Sequence, residues 1–134
     1  MKMIDHICII DDDAITVFGI KKLLTSTIEC NNIDAFSNGK LAIEYLSEIV
    51  ANKTKLPDLI FLDLNMPIMD GWEFLEEFLK LPIIDAITVN IVTSSINKED
   101  RDKSNFYKCR THHNITYNTK PLNKVEIEKI TDIA

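Results

Sequence analysis

Asp58-Leu59-Ile60-Phe61-Leu62-Asp63-Leu64-Asn65-Met66-Pro67-Ile68-Met69-Asp70-Gly71 joins an unbroken apolar run to a carboxylate and then to a polar, proline-containing loop. A short continuous apolar run predicts a strand covered on both faces, because a half-exposed strand would alternate apolar and polar residues. Three further runs have the same form. Ile7 to Ile10 leads into Asp11-Asp12-Asp13, Ile91-Val92 into Thr93-Ser94, and Ile115 to Tyr117 towards Lys120-Pro121. In an open parallel sheet, ligands bind in the crevice at the carboxyl ends of the strands. Three carboxylates, a hydroxyl and a lysine are therefore expected to converge there. That set suits a divalent metal and a phosphoryl group, with one carboxylate as the acceptor.

Outward from these runs, strands and helices alternate. The expected strands are His6–Ile10, Ile33–Phe36, Asp58–Asp63, Ile87–Thr93 and Ile115–Asn118. The expected helices are Ala14–Ser26, one carrying the stripe Leu41, Ala42, Tyr45, Leu46 and Ile49, then Trp72–Lys80, Asn97 to about Tyr107, and Leu122–Ile133. Asp13 is read as the N-cap of the first helix and Asn38-Gly39 as a turn. Five such units predict an α/β fold with a parallel sheet and helices on both faces. The fourth helix is the weak one. Lys98 to Asn105 is polar all round, so it should rest mainly on local pairs and caps.

Composition narrows the function classes. A chain of 134 residues is expected to be a single domain, 1–134, with no output domain after the last helix. A net charge of −6 argues against a nucleic-acid surface, which clusters lysine and arginine. No stretch approaches the ~20 apolar residues of a membrane span, and the N-terminus has no signal-peptide pattern, so the expected location is cytoplasmic. Cys8, Cys30 and Cys109 lack metal-ligand spacing and are read as plain reduced thiols. His112-His113 is read as a solvated pair in a polar turn, and Trp72 as a packing residue. With only three glycines in the chain, neither a dinucleotide fingerprint nor a P-loop is available. A calcium loop beginning at Asp63 would place Phe74 where a bidentate glutamate belongs. A dehalogenase-type phosphatase would need an acid two residues after Asp63, where Asn65 stands.

Taken in order, Ile7 to Asp13, Asp58 to Gly71 and Thr119-Lys120-Pro121 resemble the receiver domain of two-component response regulators, in the single-domain class typified by the bacterial chemotaxis regulator. The resemblance covers essentially the whole chain. It implies a flavodoxin-like doubly wound sheet in the order 2-1-3-4-5. It also implies that Asp63 is the phosphoacceptor and that Mg²⁺ is held by Asp12, Asp63 and the backbone carbonyl of Asn65, with Asp11 acting through a water. Lys120 would meet a phosphate oxygen, and the Thr93 hydroxyl would bond the phosphoryl group. Ser94 would keep access open, and Tyr117 would reorient as the switch. Pro67 and Gly71 would shape the loop, Gly71 through a backbone turn unfavourable to other residues.

The implied partners are a sensor histidine kinase or histidine phosphotransfer protein and an unidentified downstream protein, with no nucleic acid and no membrane. The expected function is a phosphoacceptor switch with self-catalysed phosphorylation and dephosphorylation rather than a turnover enzyme. The alternative is a phosphorelay intermediate that returns the group to a histidine phosphotransfer protein. The chain departs from the pattern at Thr111–Asn114, which replaces a Gly-Ala turn before the last strand, and in a longer Thr93-to-Lys120 interval.

Overall fold

The computed structural model describes residues 2–133. Five βα units follow one another: β1 (Lys2–Ile10), α1 (Ala14–Thr27), β2 (Ile28–Phe36), α2 (Gly39–Ala51), β3 (Leu59–Leu62), α3 (Gly71–Leu79), β4 (Thr88–Thr93), α4 (Lys98–Lys108), β5 (Asn114–Thr119) and α5 (Lys124–Ile133). All the pairings are parallel, and the strand order is β2-β1-β3-β4-β5.

The continuous apolar strands are explained by two cores, one on each face of the sheet. Successive side chains of a strand point to opposite faces. Cys8, Ile10, Ile60, Leu62, Val89 and Ile91 therefore pack under α2 and α3, while Ile7, Ile9, Leu59, Phe61 and Val92 pack under α1 and α5. Register then aligns the strand ends. Ile10 pairs with Leu62, Leu62 with Ile91, and Thr93 with Thr119. The polar residues that follow these rows are thereby brought to one edge.

Several boundaries move. The first two strands begin earlier than the apolar pattern implies, at Lys2 and Ile28, because the two pair along their whole length from Lys2↔Ile28 to Ile10↔Phe36. β2 is an edge strand, so Glu29, Asn31 and Asn32 stay exposed and hide it from an apolar count. Asn38 is a helix cap rather than a turn residue, its Oδ1 accepting from the Leu41 N–H at 3.0 Å. α5 starts two residues later than expected, at Lys124, leaving Leu122 as a buried plug ahead of it.

The histidine pair divides. His112 is exposed, but His113 is buried. Its Nδ1 accepts the Ile87 backbone N–H at 2.9 Å, and its ring lies 4.9 Å from Phe78. Burial, helped by His112, pushes its pKa down to about 4. The Thr111–Asn114 turn is thus anchored by a neutral core imidazole that completes a backbone hydrogen bond.

α4 has Asn97 as its cap and a Lys98–Asp102 pair at 3.3 Å, as a polar helix requires. Only Ser104 of it is buried. It is also held from outside, Tyr107 donating to Glu76 at 2.8 Å and Trp72 stacking on Tyr107 at 5.9 Å. All three cysteines are free, and burial pushes the Cys8 thiol up to about 12. Among the described residues no helix is long and apolar enough to cross a membrane.

Candidate active site

The site is built at the edge where β1, β3, β4 and β5 end. The Asp11 N–H donates to the Phe36 carbonyl at 3.0 Å, and the Asp63 N–H to the Ile10 carbonyl at 2.9 Å. These bonds extend the ladder one residue beyond the strands and fix both backbones. The chain then turns away. The Asp13 N–H donates to Asp11 Oδ1 at 2.9 Å. Asp13 itself caps α1, accepting from the Ile15 N–H at 3.0 Å and the Thr16 hydroxyl at 2.9 Å. Those two bonds, the Thr16 hydroxyl's foremost, lower its pKa. Of the acidic triplet, Asp13 serves the helix and the other two face the crevice.

One carboxylate oxygen from each of Asp11, Asp12 and Asp63 lies within 4.8 Å of the others. Asp11 and Asp63 are buried and Asp12 is exposed, so the cluster has a closed floor and an open wall. Burial, then the neighbouring Asp11 charge, pushes the Asp63 pKa up. Lys120 and the backbone N–H groups of Asn65 and Leu64 act against that rise. Lys120 Nζ is 2.9 Å from Asp11 Oδ2 and 3.5 Å from Asp63 Oδ2. Burial lowers the pKa of this ammonium, but the bond to Asp11 and the charges of Asp11 and Asp63 outweigh it, and the net direction is up. The Lys120 backbone is tied to β4 through its N–H, which donates to the Thr93 carbonyl at 2.8 Å.

The other expected residues lie around this edge. Thr93 is fully buried, and its Oγ1 accepts the Ser95 N–H at 3.2 Å. Ser94 is exposed. Tyr117 is half-buried, its hydroxyl donating to the Ser95 carbonyl at 2.9 Å while the Arg101 guanidinium lies 5.1 Å from the ring centre. Asn65 and Pro67 are exposed in the loop after Asp63.

Gly71 does not take the left-handed backbone expected of it. No glycine here has a positive φ, and the residue that does in this loop is Ile68, at φ 70°. Gly71 is needed for closeness instead. Its N–H donates to the Leu64 carbonyl at 2.9 Å, and a Cβ there would stand 2.3 Å from the Asp63 carbonyl oxygen. The first turn of α3 is thereby seated directly on the Asp63 backbone.

Two features escaped the sequence. Trp72 packs as expected, but its indole N–H also donates to Asp100 at 3.0 Å. Beneath α2, a buried His6 meets Asp34 at 2.9 Å, and the Tyr45 hydroxyl donates to the same carboxylate at 3.2 Å. Both join residues distant along the chain, and no local motif marks them.

Three carboxylates facing one ammonium leave an excess of negative charge in a partly dry crevice. Hard oxygen donors of this kind suit a divalent cation such as Mg²⁺, which is held through few carboxylates and several waters. Burial first and the Asp11 charge second hold the Asp63 pKa above the ordinary carboxylate value, and a cation beside it would favour the ionised form.

Known proteins share this fold. The chain is 26% identical over 131 residues to a protein-glutamate methylesterase/protein-glutamine glutaminase of Methanosarcina acetivorans, covering 93% of this chain and 35% of that protein. It thus spans about a third of that curated relative's length. A two-component response regulator from Cytophaga hutchinsonii superposes with a TM-score of 0.84 at 27% identity, over 98% of this chain and 97% of the other. The phosphorylated cyanobacterial phytochrome response regulator RcpA superposes with a TM-score of 0.72 at 30% identity, over 96% and 89%. The sequence pattern of the response regulator receiver domain matches residues 7–132, and the chain belongs to that family.

Proposed function

We propose that the chain is a phosphoacceptor switch that takes a phosphoryl group from a phosphohistidine protein onto Asp63. The carrying observation is the buried Asp63 carboxylate, with Asp11 and Asp12 on one side and the Lys120 ammonium 3.5 Å away. An Asp63 oxygen attacks phosphorus, a new P–O bond forms, and the P–N bond to the histidine breaks with its electron pair leaving on the imidazole. Lys120 meets the negative charge spread over the transferring oxygens. The Thr93 hydroxyl donates to one of them. Mg²⁺, held by Asp12, Asp63 and the Asn65 carbonyl with Asp11 acting through a water, would supply the remaining positive charge. Exposed Ile15 lines a groove with Lys120 and exposed Phe18 one with Asp11 and Asp12, an apolar landing for the donor protein.

Signalling then follows from a change at Thr93 and Tyr117, which alters the surface of α4 and β5 offered to a protein target. Incubation with acetyl phosphate and Mg²⁺ should add one acid- and base-labile phosphoryl group, visible by intact mass. Asp63→Asn should abolish it, and normal labelling of that variant would remove the proposal. Return of the label to a histidine phosphotransfer protein would select the relay alternative over the terminal switch.

A further inference from the structure

We infer that Asp100, on α4, is a positioning residue for the Thr93 hydroxyl, acting through Ser95 and braced from behind by Trp72. The inference rests on the phosphoacceptor reading, which gives Thr93 its task.

Ser95 is held at every polar atom. Its N–H donates to Thr93 Oγ1 at 3.2 Å, its carbonyl accepts from the Tyr117 hydroxyl at 2.9 Å, and its Oγ donates to Asp100 Oδ2 at 2.7 Å while accepting from the Asn97 N–H at 3.2 Å. The other Asp100 oxygen accepts the Trp72 indole N–H at 3.0 Å. Trp72 follows Gly71, which is seated on the Asp63 backbone. A continuous path therefore runs from the Asp63 loop through Gly71, Trp72, Asp100 and Ser95 to Thr93.

The physical consequence lies in the Thr93 hydroxyl. A hydroxyl has one proton and two lone pairs. With one lone pair taken by the Ser95 N–H, the rotor has fewer orientations, and its proton stays free to donate. Among the described residues Thr93 Oγ1 receives that bond, and no protein acceptor engages its proton. Ser95 can impose this only while it is itself held. Its side-chain anchor is a carboxylate on a helix that buries one residue, Ser104. Charge-assisted bonds of this kind are among the stronger side-chain contacts, so loss of Asp100 should loosen Ser95 before it unfolds the sheet.

The test is a double-mutant cycle on beryllofluoride binding in Mg²⁺, measured by calorimetry with the full chain. Asp100→Ala should weaken binding roughly three- to tenfold, the scale of one hydrogen bond. In a Thr93→Val background the same change should cost less than about twofold, because the group it positions is gone. Asp100→Asn, which can still accept from Trp72, should recover part of the loss. Trp72→Phe should show a smaller version of the same coupling and covers the case in which Asp100→Ala fails to fold. Equal losses with and without the Thr93 hydroxyl, or no loss at all, would overturn the inference. A parent protein that does not bind beryllofluoride would instead overturn the phosphoacceptor reading beneath it.

Discussion

Two glycines in helices should respond to alanine with opposite signs. Gly71 is the first residue of α3, and a Cβ there would meet three backbone atoms: the Asp63 carbonyl oxygen at 2.3 Å, Leu64 Cα at 2.8 Å and the Asp63 carbonyl carbon at 3.1 Å. Ordinary contact begins at 3.4 Å, so α3 or the Asp63 loop must retreat by about an ångström. Neither partner is a flexible side-chain end that could swing aside. Overpacking of this kind costs about 1–3 kcal/mol, set against a helix-propensity gain of at most ~1 kcal/mol.

Gly19 sits inside α1 with nothing within 4 Å of the added atom. There the propensity gain stands alone, and Gly19→Ala should stabilise by about 0.5–1 kcal/mol. For a domain of this size 1 kcal/mol moves the melting temperature by about 3–4 °C. Gly71→Ala should therefore melt several degrees below the parent and Gly19→Ala a few degrees above it, with matching midpoints in urea. Gly71→Ala should also lose phosphorylation rate, since the retreat displaces Asp63 itself. A Gly71→Ala protein as stable as its parent, or a Gly19→Ala protein destabilised by more than about 1 kcal/mol, would refute the seating argument.

Millimolar Mg²⁺ should raise the melting temperature, by about 2.7 kcal/mol of stability at a hundredfold excess over its dissociation constant, and Asp12→Ala should blunt that response. Because burial and Asp11 raise the Asp63 pKa above 3.8, its ionisation works against the fold at neutral pH. Asp63→Asn should accordingly melt above the parent in Mg²⁺-free buffer at pH 7, by a margin that shrinks as the pH falls towards 3.8; a variant that melts lower would contradict the electrostatic picture. His113 titrates near 6.5 when unfolded and at about 4 when folded, so the unfolded chain takes up the proton first and stability should fall from pH 6.5 to 4. His113→Leu should flatten that part of the pH profile and cost about 1–3 kcal/mol at pH 7, because the Ile87 N–H loses its acceptor.

What the sequence determined by itself was the alternation of elements and the order of the polar strand ends. Both are local. An apolar run such as Leu59 to Leu62 declares a doubly covered strand, and a carboxylate, hydroxyl or lysine just beyond such a run must lie at the strand's carboxyl end. Asp11, Asp12, Asp63, Thr93 and Lys120 could be selected on that ground, and the structure brings three of these carboxylates and the lysine together. Edge strand β2 was half hidden, because an exposed face admits polar residues that erase the pattern.

Tertiary structure decided which of two identical neighbours is buried and why a small residue is small. His112 and His113 are chemically alike. Packing against Phe78 and the hydrogen bond from the Ile87 N–H distinguish them. Gly71 reads as a turn residue until the Asp63 backbone is seen beneath it. Asp100 reads as one more solvated charge on a polar helix until Trp72 and Ser95 arrive at its two oxygens. In each case a deciding partner comes from another part of the chain: Asp63 for Gly71, Trp72 for Asp100, and Phe78 and Ile87 for His113. Such contacts are fixed when the sheet registers and the helices settle on it, and local propensity carries no record of them.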